Sequence, residues 1–324
     1  KDIFQKCRDY RDTADARAQG FYPYFRSIEE PHGNYVICEG ERKIMIGSNN
    51  YLGLAQDPRV VEAACEAIKK YGSGCTGSRL LNGTIKLHVE LEEALADFLG
   101  RDAAILFSTG FFANQGALIA LTEDGDAILC DRENHASIID GCNFAPGKLI
   151  PFRHNSASSL ENRLKRLPDE AGRVVILDGV FSMSGDIADL PEINAAAKRH
   201  HAAMYVDEAH SLGVLGRQGR GAVDHFGLND KVDVICGSMS KSLASTGGFV
   251  AASREAIEYL RTSSKQTVFS AALSPCQAAC AQASLELMQN EREHHERLWA
   301  NTKKYRAILK NLGLDTWGSE TPAT

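Results

Sequence analysis

The sequence predicts an α/β fold: a mostly parallel, seven-stranded sheet between helices, followed by the start of a smaller C-terminal domain. Three observations carry this. Seven short apolar or β-branched runs recur through the middle of the chain, amphipathic stretches separate them, and 324 residues at 44% hydrophobic content supply one large core and a lesser one. The runs read as strands are 104–107, 127–130, 148–152, 174–178, 203–206, 232–236 and 248–251. Helical spacing marks 59–70, then 88–99, where Gly100 is placed to end the helix. Further helices are expected at 159–167 and at 190–200, the latter with Pro191 near its start. From 277 to about 314 the chain is charged and helix-rich, and the run around Glu291–Arg297 reads as a long exposed helix entering a second domain. The divisions expected are an N-terminal segment (1–45), a large domain (46–285) and the beginning of a small one (286–324), with loop-like sequence at the end that reads as truncated.

Composition narrows the function. A net charge of −6 leaves no electrostatic footprint for nucleic acid. Nine scattered cysteines with no C-x-x-C pair read as reduced thiols of a cytoplasmic enzyme, neither a disulfide framework nor a zinc site. Lys1–Lys6 is polar, without the apolar stretch of a signal peptide, and no segment has the length of a membrane span. Some motifs mislead. Gly72-Ser73-Gly74-Cys75-Thr76-Gly77 spells a dinucleotide fingerprint, but a helix precedes it where a strand is needed. Asp207-Glu208-Ala209-His210 spells a helicase box, but the chain has no P-loop. His200-His201 and His294-His295 are adjacent on helical stretches, so their side chains diverge; no metal site is expected. Asn82-Gly83-Thr84 is a glycosylation pattern without meaning in a reducing compartment.

One constellation remains. Lys241, in Ser238-Met239-Ser240-Lys241-Ser242, lies between two apolar runs and follows Val206-Asp207-Glu208-Ala209-His210. A lysine that can hold an aldehyde, with an aspartate that can keep a ring nitrogen protonated, suits pyridoxal phosphate (PLP). Ser108-Thr109-Gly110-Phe111-Phe112-Ala113-Asn114 leaves a strand and opens a helix, a seat for a phosphate. Ser238 and Ser240 add hydroxyl donors. His135 follows another strand and suits stacking on a ring, while capping or core packing is the plainer alternative; His210 suits the cofactor's phenolic oxygen. Ser182 ends a further strand, either near the site or as a simple turn residue. Strand C-termini would converge on one crevice, as open α/β sheets arrange them.

These residues, with Asn49-Asn50-Tyr51-Leu52-Gly53-Leu54, Gly77-Ser78-Arg79 and Asn134-His135-Ala136-Ser137, resemble the α-oxoamine synthases, a PLP-dependent, fold-type I group, over 49–323. The resemblance implies Lys241 as the Schiff-base lysine, His135 as the stacking histidine and Asp207 as the pyridinium partner. It implies His210 at the cofactor oxygen and Gly110, Phe111, Ser238 and Ser240 around the phosphate; Ser182 is a further candidate at the cofactor and Asn50 a candidate at the substrate. It further implies a homodimer in which Ser270 reaches the partner's phosphate, and a decarboxylating condensation of an amino acid with an acyl-CoA. The family's carboxylate-binding arginine would fall beyond residue 324. Three stretches, 77–84, 152–156 and 207–211, are most similar to the members that join L-serine to a long-chain acyl-CoA such as palmitoyl-CoA, and Glu208 counts toward that choice. Members using alanine with a pimeloyl thioester, or glycine with acetyl-CoA, are the alternative.

Overall fold

Residues 5–44 build a small unit ahead of the main one. It holds two short helices, α1 (Gln5–Asp9) and α2 (Asp12–Ala18), and an antiparallel meander of β1 (Ile28–His32), β2 (Tyr35–Cys38) and β3 (Glu41–Ile44). The computed structural model describes residues 1–323, and the chain divides into compact units at Ser48 and Asn49. The N-terminal segment expected at 1–45 therefore contains a sheet of its own, and the division falls three residues later.

The second unit carries the predicted α/β layers. Its helices are α3 (Pro58–Tyr71), α4 (Lys86–Leu99), α5 (Gly110–Leu121), α6 (Ala136–Phe144), α7 (Ala157–Leu164), α8 (Leu190–Arg199), α9 (Ala222–His225), α10 (Arg254–Ser263), α11 (Lys265–Val268), α12 (Pro275–Asn290) and α13 (Arg292–Asn311). Its strands are β4 (Ala103–Phe107), β5 (Ala127–Asp131), β6 (Lys148–Phe152), β7 (Arg173–Asp178), β8 (Ala203–Asp207), β9 (Val234–Ser238) and β10 (Gly248–Ala252). They lie in the order β4-β10-β9-β8-β7-β5-β6. All run parallel except β10, which is antiparallel to both β4 and β9. The exception has a simple cause. Parallel neighbours need a crossover, whereas β9 returns directly into β10 through the loop 239–247, so the new strand must run backwards.

Side-chain alternation divides the sheet's residues between two cores. Ile105, Phe107, Ile128, Ile176 and Tyr205 face α5, α6 and α10, while Leu106, Leu129, Leu177, Val206 and Phe249 face α4, α7, α8 and α12. Both faces are covered, which is why these strands read as continuous apolar runs. The helix-rich stretch expected at 277–314 and the long helix expected within it are present, with two refinements. The stretch 277–314 is two helices, because Glu291 adopts extended backbone and its carboxylate is held by Arg59 of α3 and by His294. Nor is α13 simply exposed: His295 Nε2 and Trp299 Nε1 both donate to the Val214 carbonyl at 2.8 Å. Helix α7 starts at Ala157 because the Ser156 hydroxyl caps it, accepting from Ser159 N. No described helix is long and apolar enough to cross a membrane.

Candidate active site

The C-terminal ends of β4, β5, β7, β8 and β9 open on one cavity of about 300 Å³, lined among others by Gly110, His135, Asp207, His210, Ser240 and Lys241. Lys241 sits in the β9–β10 return, half-buried. Burial pushes its pKa down, and the carboxylates of Asp207 and Asp178 pull it partly back. These two aspartates end adjacent parallel strands in register, and both line the cavity. Burial, with Asp207 alongside, raises the Asp178 carboxyl well above the usual range.

Asp207 is anchored on both oxygens: Oδ1 accepts from Ala209 N at 2.8 Å, and Oδ2 from Asn114 Nδ2 at 2.7 Å. Asn114 is itself buried on α5, where its Oδ1 accepts from the Tyr205 hydroxyl at 3.0 Å. Its amide also donates to Ser137 Oγ at 2.9 Å, and Ser137 Oγ lies 2.8 Å from His135 Nδ1. His135 caps α6 and its backbone N–H donates to Asp178 Oδ2 at 2.8 Å, which fixes the ring at the cavity wall. His210 Nδ1 lies 2.8 Å from the Tyr51 hydroxyl. Burial, together with Lys241 and His135, depresses the His210 pKa to about 3, and burial raises Tyr51 to about 12.

The opposite wall is built for close approach. A side chain at Gly110 would meet Ser238 Cβ at 2.9 Å, and one at Gly248 would meet Gly110 Cα at 2.5 Å. The first turn of α5, capped by the Thr109 hydroxyl accepting from Phe112 N at 3.0 Å, therefore sits against the Ser238 and Ser240 hydroxyls. Backbone donors, the positive helix end and two hydroxyls meet in one recess.

Lys241, Asp207, His135, His210, Gly110, Phe111, Ser238 and Ser240 are thus brought together. Ser182 and Asn50 are half-buried and not among the lining residues; β7 ends at Asp178, so Ser182 stands in the following turn, not on the strand. Ser270 lines a separate small recess with Arg79 and Ser108. Glu208 is fully buried away from the cavity, where its carboxylate accepts from Ala222 N at 2.7 Å and Val223 N at 2.8 Å, and from the Ser211 hydroxyl. It caps α9, and burial raises its pKa to about 6. Sequence reasoning missed Asn114, Ser137, Tyr51 and Asp178, although three of them stood inside the quoted motifs.

The aminotransferase class I and II family profile matches residues 41–323. The chain belongs to the α-oxoamine synthases, fold-type I PLP-dependent enzymes. It is 47% identical to the serine palmitoyltransferase of Sphingobacterium spiritivorum, across 99% of this chain and 80% of that enzyme. A serine palmitoyltransferase variant from S. paucimobilis, solved with bound PLP–myriocin aldimine, superposes with a TM-score of 0.93 at 39% identity, covering 97% of this synthase and 79% of that chain. The 8-amino-7-oxononanoate synthase of Thermosipho melanesiensis is 42% identical over 97% of this chain and 80% of that enzyme.

Proposed function

We propose that this synthase binds PLP and condenses L-serine with a long-chain acyl-CoA, releasing CO₂, CoA and 3-ketodihydrosphingosine. The observation that supports it most is the meeting of Lys241, Asp207 and the α5 N-terminus in one cavity of a chain this similar to serine palmitoyltransferases. The residues fit the cofactor. The recess between the first turn of α5 and the Ser238 and Ser240 hydroxyls takes a phosphate; Asp207, held as an acceptor on both oxygens, takes a protonated ring nitrogen; Lys241 takes the aldehyde carbon. When bound, PLP supplies a pyridinium ring that withdraws electrons from the carbon whose proton is removed.

The chain's own groups do the rest. Lys241, its pKa lowered by burial, takes the substrate's α-proton and can return it. Asp207 holds the proton on the ring nitrogen by charge. His135 stacks on the ring and orients the amino acid's carboxylate, and His210, neutral at working pH, donates to the cofactor's phenolic oxygen. Ser182 and Asn50 complete the cofactor and substrate surroundings, and Ser270 reaches the phosphate of a second subunit in a cytoplasmic homodimer. Residues from 286 onward lead into a smaller domain. A second reading, alanine with a pimeloyl thioester, draws on the 42% identity to an oxononanoate synthase. One panel separates them: serine, glycine and alanine, each with acetyl-, pimeloyl- and palmitoyl-CoA, scored by CoA release. Turnover of alanine with the pimeloyl thioester and none of serine with palmitoyl-CoA would overturn the proposal.

A further inference from the structure

We infer that Asn114 is a positioning residue that sets the tautomer of His135, placing its proton on Nε2, while clamping Asp207 with the same amide group. The inference rests on the functional reading above only for what Asp207 and His135 hold. The hydrogen-bond directions stand by themselves.

The directions follow from donor counting. Asp207 ends a strand with both oxygens accepting, so the Asn114 group 2.7 Å from Oδ2 must be the NH₂. That leaves Asn114 Oδ1 for the Tyr205 hydroxyl, which lies at 3.0 Å and can donate to it. The orientation of the amide is therefore fixed from two sides. Its second N–H points at Ser137 Oγ, 2.9 Å away, so that oxygen accepts. The hydroxyl hydrogen of Ser137 is left to donate to His135 Nδ1, 2.8 Å away. Ser137 N donates to the same nitrogen at 3.2 Å. Nδ1 thus receives two donors and keeps no proton of its own. The proton of the neutral ring resides on Nε2, and the ring lines the cavity. A histidine so held offers a hydrogen-bond donor to a substrate oxygen, such as a carboxylate, and never an acceptor. Tyr205, Asn114 and Ser137 are all buried, so water does not compete for these bonds.

The relay joins the two sides of the proposed cofactor ring. Asp207 would face the ring nitrogen and His135 the ring's plane, and one amide positions both.

The test is ¹⁵N-histidine NMR on the holoenzyme, with the His135 resonances identified by their loss in His135→Gln. Wild type is expected to show a protonated-type shift at Nε2 and an unprotonated one at Nδ1. Asn114→Asp turns both donors into acceptors: a measurable population protonated at Nδ1 should appear, kcat should fall roughly 10-fold or more, and PLP should bind more weakly because a charge faces Asp207. Ser137→Ala removes only the hydroxyl arm. It should lower kcat and shift the tautomer toward Nδ1 while PLP affinity stays within about two-fold, a split that simple loss of folding would not produce. Unchanged thermal melting checks that the Ser137 variant is folded. A wild-type proton on Nδ1, or an unaltered tautomer in both variants, would overturn the inference. Absence of PLP binding or of serine turnover in wild type would instead sink the functional reading, since the tautomer is measurable with or without the cofactor.

Discussion

Lys241 is half-buried between hydroxyl-bearing neighbours; burial makes its amine less basic than in water, and the nearby Asp207 and Asp178 carboxylates offset part of that. Lys241→Ala should lower CoA release by roughly 10³-fold or more and abolish the borohydride-reducible link to PLP. A reducible link surviving in that variant would contradict the assignment. Asp207→Asn keeps the shape and removes the charge, so PLP should still bind while exchange of the substrate α-hydrogen slows sharply; wild-type exchange would refute the role. His210 bears on stability as well as chemistry. Its folded pKa is depressed from an ordinary 6.5 to about 3, so between those values the unfolded chain binds a proton that the folded chain refuses. Stability therefore rises with pH through that window: the His210 contribution is complete above about 6.5 and is lost as pH falls toward 3. The loss is on the order of a few kcal/mol, and His210→Gln should flatten the melting temperature against pH over this range.

At the scale of elements, the turn after β8 does two separate jobs. Asp207 looks into the cavity, while the next residue, Glu208, turns away and holds the start of α9 through two backbone donors and the Ser211 hydroxyl. Glu208→Ala strands those buried donors and should cost about 2–4 kcal/mol in urea unfolding. Glu208→Asp should leave the preference among acyl-CoAs unchanged, since the side chain does not line the cavity; a switch toward pimeloyl thioester would show that it acts on the substrate after all. This is where the sequence was legible and where it was not. The seven central strands could be read because both faces are buried, which writes an apolar run for each. Strand β1 could not, because every residue of it is exposed and Glu29, Glu30 and Pro31 give no alternation. Lys241, Asp207 and His135 stood in recognisable strings, whereas Asn114 acts on a carboxylate 93 residues away and Tyr51 on a histidine 159 residues away. Pairings of that kind exist only once the sheet has brought strand ends together. The break at Glu291 was hidden likewise, since Arg59 captures it from a distant helix.

For the molecule as a whole, a ligand that binds only the folded state adds stability in proportion to the logarithm of its excess. At a hundred-fold excess over its Kd, PLP should contribute about 2.7 kcal/mol and raise the melting temperature, a shift that Lys241→Ala should largely erase. Strand order then decides when that help can arrive. Within the sheet, β4, which leads into Gly110, is separated from β9 by β10, to which it pairs from Phe107 to Ala103 against Gly248 to Ala252. Those strands come from opposite ends of the sheet-forming sequence, and closing so long a loop is a late, slow event in folding. Until it happens, the phosphate recess has only one wall. PLP should therefore slow unfolding without speeding refolding, and a nascent chain leaving the ribosome would have no place for the cofactor until β10 had emerged and docked.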